Sequence, residues 1–308
     1  MLTFFSNRVK SLVASINMKA EVNAVVSSHF RICAKVGEQL FQWVFYHELK
    51  NGIIPIKISN PELVFLAHTV NDQIESDVVP KIMDIPNWFN HIKAIFNCPK
   101  ISQLQFFEDV GNFDLDSIRD SMIQEDIHEL VVSAENSDEC NRKIMKTFPY
   151  TKHLSLEAEV YENGKPPGEV LIQHFSRFNI GLDSGNPTTM KLDDILMMNA
   201  KNVVIAFSKL TEKDANRFLK LWMRGKSKFE YIGFTFANGM VVDKNIVLKG
   251  IKFQEIPIEK KRFFPGVINP IEGGIDVVRR DGTNGTIRFG NRFMVFFVWH
   301  DGCEVEKK

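Results

Sequence analysis

The residues of this sequence that could carry chemistry are few and stand apart from one another. Asp193 and Asp194 are adjacent carboxylates of the kind that acid–base catalysis uses, but they fall in the first turn of a predicted helix, which favours a capping role. Glu272-Gly273-Gly274 is rich in glycine, yet no helix follows it, so it indicates a turn or bulge rather than a phosphate-binding loop. The eight histidines are dispersed, which argues against a local metal site.

We therefore predict a non-enzymatic protein with no catalytic residue, no metal ion and no cofactor. An enzyme would need carboxylates or histidines with perturbed pKa values to converge in one pocket, and the sequence alone does not show such a pocket. Two short basic runs, Lys260-Lys261-Arg262 and Arg279-Arg280, are interpreted as solvated surface.

Composition and charge argue against a nucleic-acid or membrane partner. The 308 residues are 44% hydrophobic and 25% charged, and 38 basic residues balance 38 acidic ones. No apolar run reaches the roughly 18 residues of a membrane span. The four cysteines are far apart, which fits a reducing compartment, cytoplasmic or nuclear, and argues against zinc or a disulfide framework: Cys33, Cys98, Cys140 and Cys303.

The clearest local element is a helix that begins after Thr211. Thr211 is a natural N-cap and Asp214 completes a short capping box. Gly225 is suited to end the helix in a left-handed conformation. One helical stripe is apolar and must pack on a neighbouring layer: Ala215, Phe218, Leu219 and Trp222.

This helix is part of a repeat with a period of about 25 residues. The central apolar residues of six predicted strands are Leu104, Leu130, Leu154, Phe178, Val203 and Ile232. Helical segments are predicted between them at Leu115–Ile123, Cys140–Phe148, Glu169–Gln173, Leu192–Met198 and Glu212–Arg224. A strand–helix unit of this length cannot bury its apolar side alone, so the units must stack with their strands parallel.

The pattern predicts an α/β fold: a degenerate leucine-rich-repeat-like solenoid with small β layers at both ends. The competing interpretation is a doubly wound α/β sheet, whose strands would be continuously apolar. Here polar residues such as Gln105, Ser155 and Asn179 alternate with apolar ones, which indicates that one face of the sheet is solvated.

The two ends have a different character. Residues 20–99 predict an antiparallel β layer with turns at Gly37 and Asn51-Gly52, followed by a helix over Ile85–Phe96. Residues 100–237 hold the repeat units. Residues 238–308 predict a strand over Ile246–Phe253, a loop from Ile256 to Pro270, and a meander of three strands that caps the solenoid: Ile275–Arg279, Gly285–Phe289 and Arg292–Trp299.

The open face of the predicted sheet is the best candidate for a partner-binding surface. Two columns of residues between the apolar positions would line it. They are Gln103, Glu129, His153, Arg177, Asn202 and Tyr231, and Gln105, Val131, Ser155, Asn179, Val204 and Gly233. Their mixed polar character suits a protein or peptide surface. The alternative is that they are simply the solvated side of a sheet.

Residues 1–19 predict a basic helix that has two possible meanings. One face is apolar and contains Phe5, Val9, Leu12, Val13 and Ile16, with Arg8 outside it. Because the segment is basic and free of acidic residues, a mitochondrial presequence is the alternative to a structural helix.

Several segments resemble one family. LDDILMMNAKNVVIAFSKLTEKDANRFLKLWMRG is similar to the type-2 F-box-associated domain of a large nematode family of F-box proteins. NWFNHIKAIFNCPKISQLQF resembles the entry to that family's repeat region, and GGIDVVRRDGTNGTIRF with the terminal FFVW resembles its C-terminal signature. FFSNRVKSLVASI resembles the tail of the last F-box helix, so residues 1–19 are interpreted as a remnant of that helix.

The resemblance implies a non-enzymatic interaction module, the substrate-recruiting part of an F-box ubiquitin-ligase receptor. Its partner would be a target protein or peptide. The leucine-proline motif with which such proteins grip the Skp-type adaptor of a cullin-RING ligase is not present here, which puts adaptor binding in doubt. The alternative function is that of a mitochondrially imported α/β protein that uses residues 1–19 as its presequence.

Overall fold

A computed structural model describes most of the chain: residues 19–47, 55–59, 61–70, 73–79, 83–122, 126–149, 151–157, 159–161, 164–181, 187–225, 228–237, 241–300 and 303–305. The predicted helix of residues 1–19, with Phe5, Arg8, Val9, Leu12, Val13 and Ile16, lies outside these residues apart from Lys19. The predicted Asn51-Gly52 turn also lies outside them. The chain divides between His153 and Leu154 into two compact units, which are described separately. The predicted domain boundaries stay a prediction.

The first unit opens with an antiparallel layer, as the sequence predicts. Its five strands pair in chain order: β1 (Glu21–Val26), β2 (Phe30–Val36), β3 (Gln39–Tyr46), β4 (Leu63–Val70) and β5 (Gln73–Val79). Gly37 makes the tight turn between β2 and β3 with a φ of 59°. The sequence pattern missed β4 and β5. Residues 75–78 of β5 are exposed, so this strand lacks the alternation of apolar and polar residues by which a strand is recognised in a sequence.

Two parallel strands continue the sheet of the first unit. β6 (Ile101–Phe106) lies between β1 and β7 (Ile127–Val132) and is parallel to both. The helices of this unit are α1 (Ile85–Ile95), α2 (Leu115–Ser121) and α3 (Asp138–Thr147). Asp84 caps α1 by accepting a hydrogen bond from the Asn87 N–H at 2.9 Å. The buried Trp88 and Phe89 of α1 pack on Phe45 and Phe30 with ring centroids 5.7 and 6.2 Å apart, which fixes α1 on the sheet.

The second unit contains the remaining strand–helix units. β8 (His153–Leu156), β9 (Arg177–Ile180), β10 (Asn202–Ser208) and β11 (Tyr231–Phe236) are neighbours in that order, and β9, β10 and β11 are parallel. The helices α4 (Gly168–Leu171), α5 (Leu192–Met197) and α6 (Glu212–Arg224) alternate with these strands. Both units therefore have the predicted mixed α/β character with parallel strand–helix segments.

The predicted C-terminal meander is confirmed, with an addition. β13 (Ile271–Val278), β14 (Asn284–Phe289) and β15 (Phe293–Val298) form an antiparallel meander, and β15 pairs with β11. β12 (Gln254–Phe263) pairs with β13 and, at its end, with the short β16 (Glu304–Val305). The predicted loop from Ile256 to Pro270 is therefore wrong in its first half. β12 is almost wholly exposed and takes its conformation from pairing, with Pro257 falling where the β12–β13 register is broken.

The predicted strand over Ile246–Phe253 is also wrong. The chain instead forms the short helix α7 (Lys244–Val247). The Asp243 carboxylate accepts the Asn245 N–H at 2.8 Å, and Val247 is fully buried. The hydrogen bond from the Asn245 N–H to Asp243 therefore favours a helix here, although the alternation of apolar residues predicted a strand.

Candidate functional site

The strand register of the second unit brings the predicted columns side by side. Asn202 is paired with Arg177 on one side and Tyr231 on the other, and Val204 is paired in the same way with Asn179 and Gly233. The intervening Phe178, Val203 and Ile232 are fully buried. Successive residues of a strand point to opposite faces, so the two columns share the face opposite the helix-covered core.

A loop that the sequence analysis did not place covers part of this face. Residues 264–269, in the connection between β12 and β13, stand over β9, β10 and β11 and leave a cleft of about 430 Å³, which we call the strand-face cleft. Its strand wall consists of Arg177, Asn179, Asn202, Val204 and Tyr231, and its loop wall of Phe264, Pro265, Gly266, Val267, Ile268 and Asn269. Five of the predicted face residues therefore line one recess.

Aromatic packing holds the loop in place. Phe264 is buried and its ring lies 5.3 Å from that of Phe297 and 5.8 Å from that of Trp299. Tyr231 completes the cluster, with its ring 5.3 Å from Phe297. Ile271, the first residue of β13, is buried in the same cluster. The loop is therefore anchored at its first residue while its tip, Val267 and Ile268, is exposed.

A buried ion pair fixes the strand that leads into the loop. Arg262 donates to both carboxylate oxygens of Asp276 at 3.0 Å and to the Gly273 carbonyl at 3.2 Å, and its guanidinium lies 4.7 Å from the Trp299 ring centroid. Thr286 donates to Asp276 and accepts from the Trp299 indole N–H at 2.6 Å. The interpretation of Arg262 as solvated surface is wrong, because only 5% of its side chain is exposed. Arg262 is buried against Asp276, which is 14 residues away in the sequence.

The polar side chains of the strand-face cleft differ in how many of their polar atoms have hydrogen-bond partners. Asn179 donates to Ser155 Oγ at 2.9 Å, and Asn202 donates to the Ser176 carbonyl at 2.9 Å. Asn179 Oδ1 is buried and has no hydrogen-bond partner among the described residues. Arg177 is exposed and makes no hydrogen bond or ion pair within the described part of the chain. Burial raises the pKa of Tyr231, and nearby Arg177 opposes that shift, so the phenol stays protonated.

The predicted face residues of the first unit form a different surface. Gln103 is paired with Glu129 and Gln105 with Val131. Gln103 donates to Glu129 Oε2 at 2.7 Å, and Gln105 donates to Gln103 Oε1 at 2.5 Å. These residues, with His153, are partly buried. The His153 ring lies 4.0 Å from that of His128, whose pKa is lowered by burial and by Lys100.

A second recess lies on the helix side of the second unit. It has a volume of about 570 Å³ and is lined mainly by apolar residues of α5, of α6 and of the segments that follow α4, α5 and α6, among them Ile172, Leu196, Met197, Leu221 and Trp222. Ile172 is 57% exposed and Met197 48%. The sequence analysis placed the α6 stripe in the core, where Phe218, Leu219 and Trp222 are found, and it did not identify this recess.

The carboxylates and glycines that opened the sequence analysis have structural roles. Asp194 accepts the Lys191 N–H and the Lys165 ammonium, each at 2.8 Å, which is the predicted capping role with an added ion pair. Gly273 and Gly274, with φ values of 59° and 121°, lie opposite the register break of β12, so the predicted bulge is confirmed. Within the described residues no group of three His, Cys, Asp or Glu side chains could hold a metal ion. None of the described helices is long and apolar enough to cross a membrane.

Comparison with known proteins gives one match, and it falls on this site. Residues 167–231 match the family model described as "F-box associated". Searches of curated proteins and of solved structures found no match. The matched segment begins at Pro167, the N-cap of α4, and ends at Tyr231, the first residue of β11. The strands that build one wall of the strand-face cleft therefore lie in the part of the chain that is similar to an F-box-associated domain.

Proposed function

We propose that this chain is a non-enzymatic interaction protein that recruits a target protein, as the substrate-recruiting part of an F-box ubiquitin-ligase receptor of the cytoplasm or nucleus. One observation carries the proposal: the F-box-associated match coincides with the strand wall of a cleft that holds Arg177, an exposed arginine with no hydrogen bond or ion pair among the described residues. Recessed surfaces with a few unsatisfied polar groups are typical binding sites.

The proposal includes the predicted leucine-rich-repeat-like stacking of the strand–helix units. The support is the parallel pairing within each unit, of β6 with β7 and of β9 with β10 and β11, at the register that the repeat predicts. Such stacking presents one strand face to a partner over several units.

Site-specific photo-crosslinking in cells tests where the target binds. A photoreactive amino acid replaces Asn202 or Ile268, on the two walls of the strand-face cleft, and a control carries it in place of Lys213, which is exposed on α6. We expect one protein to crosslink from both cleft positions and not from the control. The abundance of that protein should rise when the chain is removed, because a recruited target is degraded.

Two results would contradict the proposal. Crosslinking of the same protein from Leu221 or Met197, in the helix-side recess, without crosslinking from the cleft would place the binding surface elsewhere. An unchanged half-life of the crosslinked protein after removal of the chain would separate target binding from ubiquitination.

Adaptor binding and mitochondrial import are tested separately. The proposal assigns target binding, and not adaptor binding, to the described residues, so a pull-down with purified Skp-type adaptor should recover no more of this chain than a control protein does. Fusion of residues 1–19 to a fluorescent reporter addresses the presequence alternative. Matrix localisation of the reporter would contradict a cytoplasmic or nuclear receptor.

A further inference from the structure

We propose that the strand-face cleft binds an extended, acidic segment of the target protein, in which an Asp or Glu carboxylate pairs with Arg177 and a neighbouring apolar side chain packs on Val267 and Ile268 of the loop wall. This inference rests on the proposed function and adds the chemistry of the bound segment.

The charge of the cleft selects an anion. Among the described residues that line it, Arg177 is the one charged residue and none is a carboxylate. Lys201 and Glu230, which precede the neighbouring strands, are paired with each other at 2.8 Å. No described residue occupies the guanidinium of Arg177, and its planar fork matches a carboxylate in two-point geometry.

The buried amide of Asn179 belongs to the cleft wall and is not the ligand contact. Asn179 is 8% exposed and lines the cleft, and its Nδ2 donates to Ser155 Oγ at 2.9 Å. Its Oδ1 has no hydrogen-bond partner among the described residues and is closed off from solvent. The exposed Arg177 is therefore the polar group of β9 that a ligand can reach.

The spacing of the two groups fits an extended peptide. Arg177 and Asn179 are two residues apart on β9 and face the same way. Two steps along a strand separate their Cα atoms by about 7 Å. An extended peptide that runs along β9 has the same repeat, so a carboxylate at Arg177 places the side chain two residues away over Asn179, on the same wall of the cleft.

The loop wall adds an apolar contact and no competing charge. Residues 264–269 read Phe-Pro-Gly-Val-Ile-Asn and are uncharged. Ile268 is 97% exposed and Val267 37%. An apolar side chain of the bound segment, next to the acidic one, would cover them and exclude water from the ion pair.

Peptide display on the full chain tests the predicted specificity. A library of random nonapeptides is selected on wild-type protein and on Arg177→Glu. We expect the wild type to enrich peptides with Asp or Glu beside an apolar residue. Arg177→Glu should lose these peptides and enrich ones with Lys or Arg at the same position, because the charge of the cleft is reversed. Arg217→Glu, the same change at an exposed position of α6, should select like the wild type.

Affinity measurements with one selected peptide separate the two contacts. Replacement of its acidic residue by Asn or Gln should weaken binding to the wild type about tenfold or more, and should weaken binding to Arg177→Ala little. Replacement of its apolar residue by Ser should weaken binding to the wild type, and should weaken binding to Ile268→Ala little. Circular dichroism of each variant controls for folding.

The outcomes distinguish this inference from the proposed function. If the target still crosslinks from position 202 in Arg177→Glu, the acidic assignment is wrong while target recruitment stands. Enrichment of phosphorylated over acidic peptides in a matched library would overturn the carboxylate assignment. If cleft crosslinking persists but no linear peptide is enriched, the target is recognised through a folded surface and the extended-segment assignment fails. Absence of both crosslinking and enrichment would remove the proposed function itself.

Discussion

The strand faces of the two units are built from the same sequence pattern and have different surfaces. In the first unit, Gln105, Gln103 and Glu129 are joined by hydrogen bonds of 2.5 and 2.7 Å. In the second unit, Arg177 and Asn179 Oδ1 lack partners within the described residues, and an anchored loop stands over them. The polar alternation of the strands therefore produces a solvated face, and the connection between β12 and β13 turns part of that face into a cleft.

The largest effect is expected from removal of the buried acid that holds the strand leading to the loop. Asp276→Ala leaves Arg262 buried without its counter-charge, and the free energy of unfolding should fall by about 3–5 kcal/mol. Chemical denaturation measures the loss. The adjacent pair of Lys261 and Glu272 is the control, because both side chains are at least 40% exposed. Lys261→Ala should cost about 0–1 kcal/mol, and equal losses in the two variants would contradict the assigned role of Arg262.

The second-largest effect is expected from removal of Phe264, which anchors the loop. Substitutions in this loop also distinguish an effect on stability from an effect on peptide binding. Phe264→Ala removes a ring that is 5% exposed from the aromatic cluster, and the free energy of unfolding should fall by about 3 kcal/mol. Ile268→Ala, four residues on, should leave stability unchanged because the side chain is 97% exposed. Both variants should bind a selected peptide less tightly, the first through loss of the cleft and the second through loss of a contact. A stable Phe264→Ala with full peptide binding would show that the loop does not form the cleft wall.

Replacement of a buried or half-buried polar residue by leucine should lower stability on the strand face of the first unit but not on that of the second. Gln103→Leu interrupts a satisfied row, so the free energy of unfolding should fall by about 1 kcal/mol with peptide binding unchanged. Asn179→Leu removes one hydrogen bond together with a buried acceptor that has no partner among the described residues, which itself costs about 1–3 kcal/mol, so stability should not fall. A loss of stability in Asn179→Leu as large as in Gln103→Leu would mean that the amide is structural.

The smallest expected effect is a dependence of the stability of the first unit on pH. Burial lowers the pKa of His47, with the Ile58 and Phe45 carbonyls opposing, and burial and Lys100 lower the pKa of His128, each from an ordinary value of 6.5. The unfolded chain then binds protons more readily than the folded one, so the stabilisation is complete above pH 6.5 and is lost as the pH falls below it.

Hydrogen exchange measures this dependence within the full chain. Amides of β3 and β7 should exchange faster, relative to intrinsic rates, as the pH is lowered from neutral. His47→Gln should reduce the change in β3, because glutamine does not titrate. Protection that increases on acidification would contradict the assigned direction.

Local elements were predictable from the sequence because their causes lie within a few residues. The capping box of α6 forms as predicted: Asp214 accepts the Thr211 N–H at 3.0 Å, and the Asp214 N–H donates to Thr211 Oγ1 at 3.3 Å. Gly225 ends the helix with a φ of 95°. The strand pattern also aligned Asn202 with Arg177 and Tyr231, because a slip of one residue would turn the buried apolar residues to the solvated face.

Only the tertiary structure decided which part of the strand face is a cleft. β12 is polar and exposed, so no periodicity identifies it, and its conformation comes from hydrogen bonds to β13. Arg262 sits in a basic run, and its burial depends on Asp276 and Trp299, which are distant in sequence. The sequence by itself determined the strands and helices of the repeat units and the facing of Arg177 and Asn179, since propensity and periodicity are local. The long-range pairing that brings residues 264–269 over them was decided by packing between segments that no short window of sequence contains.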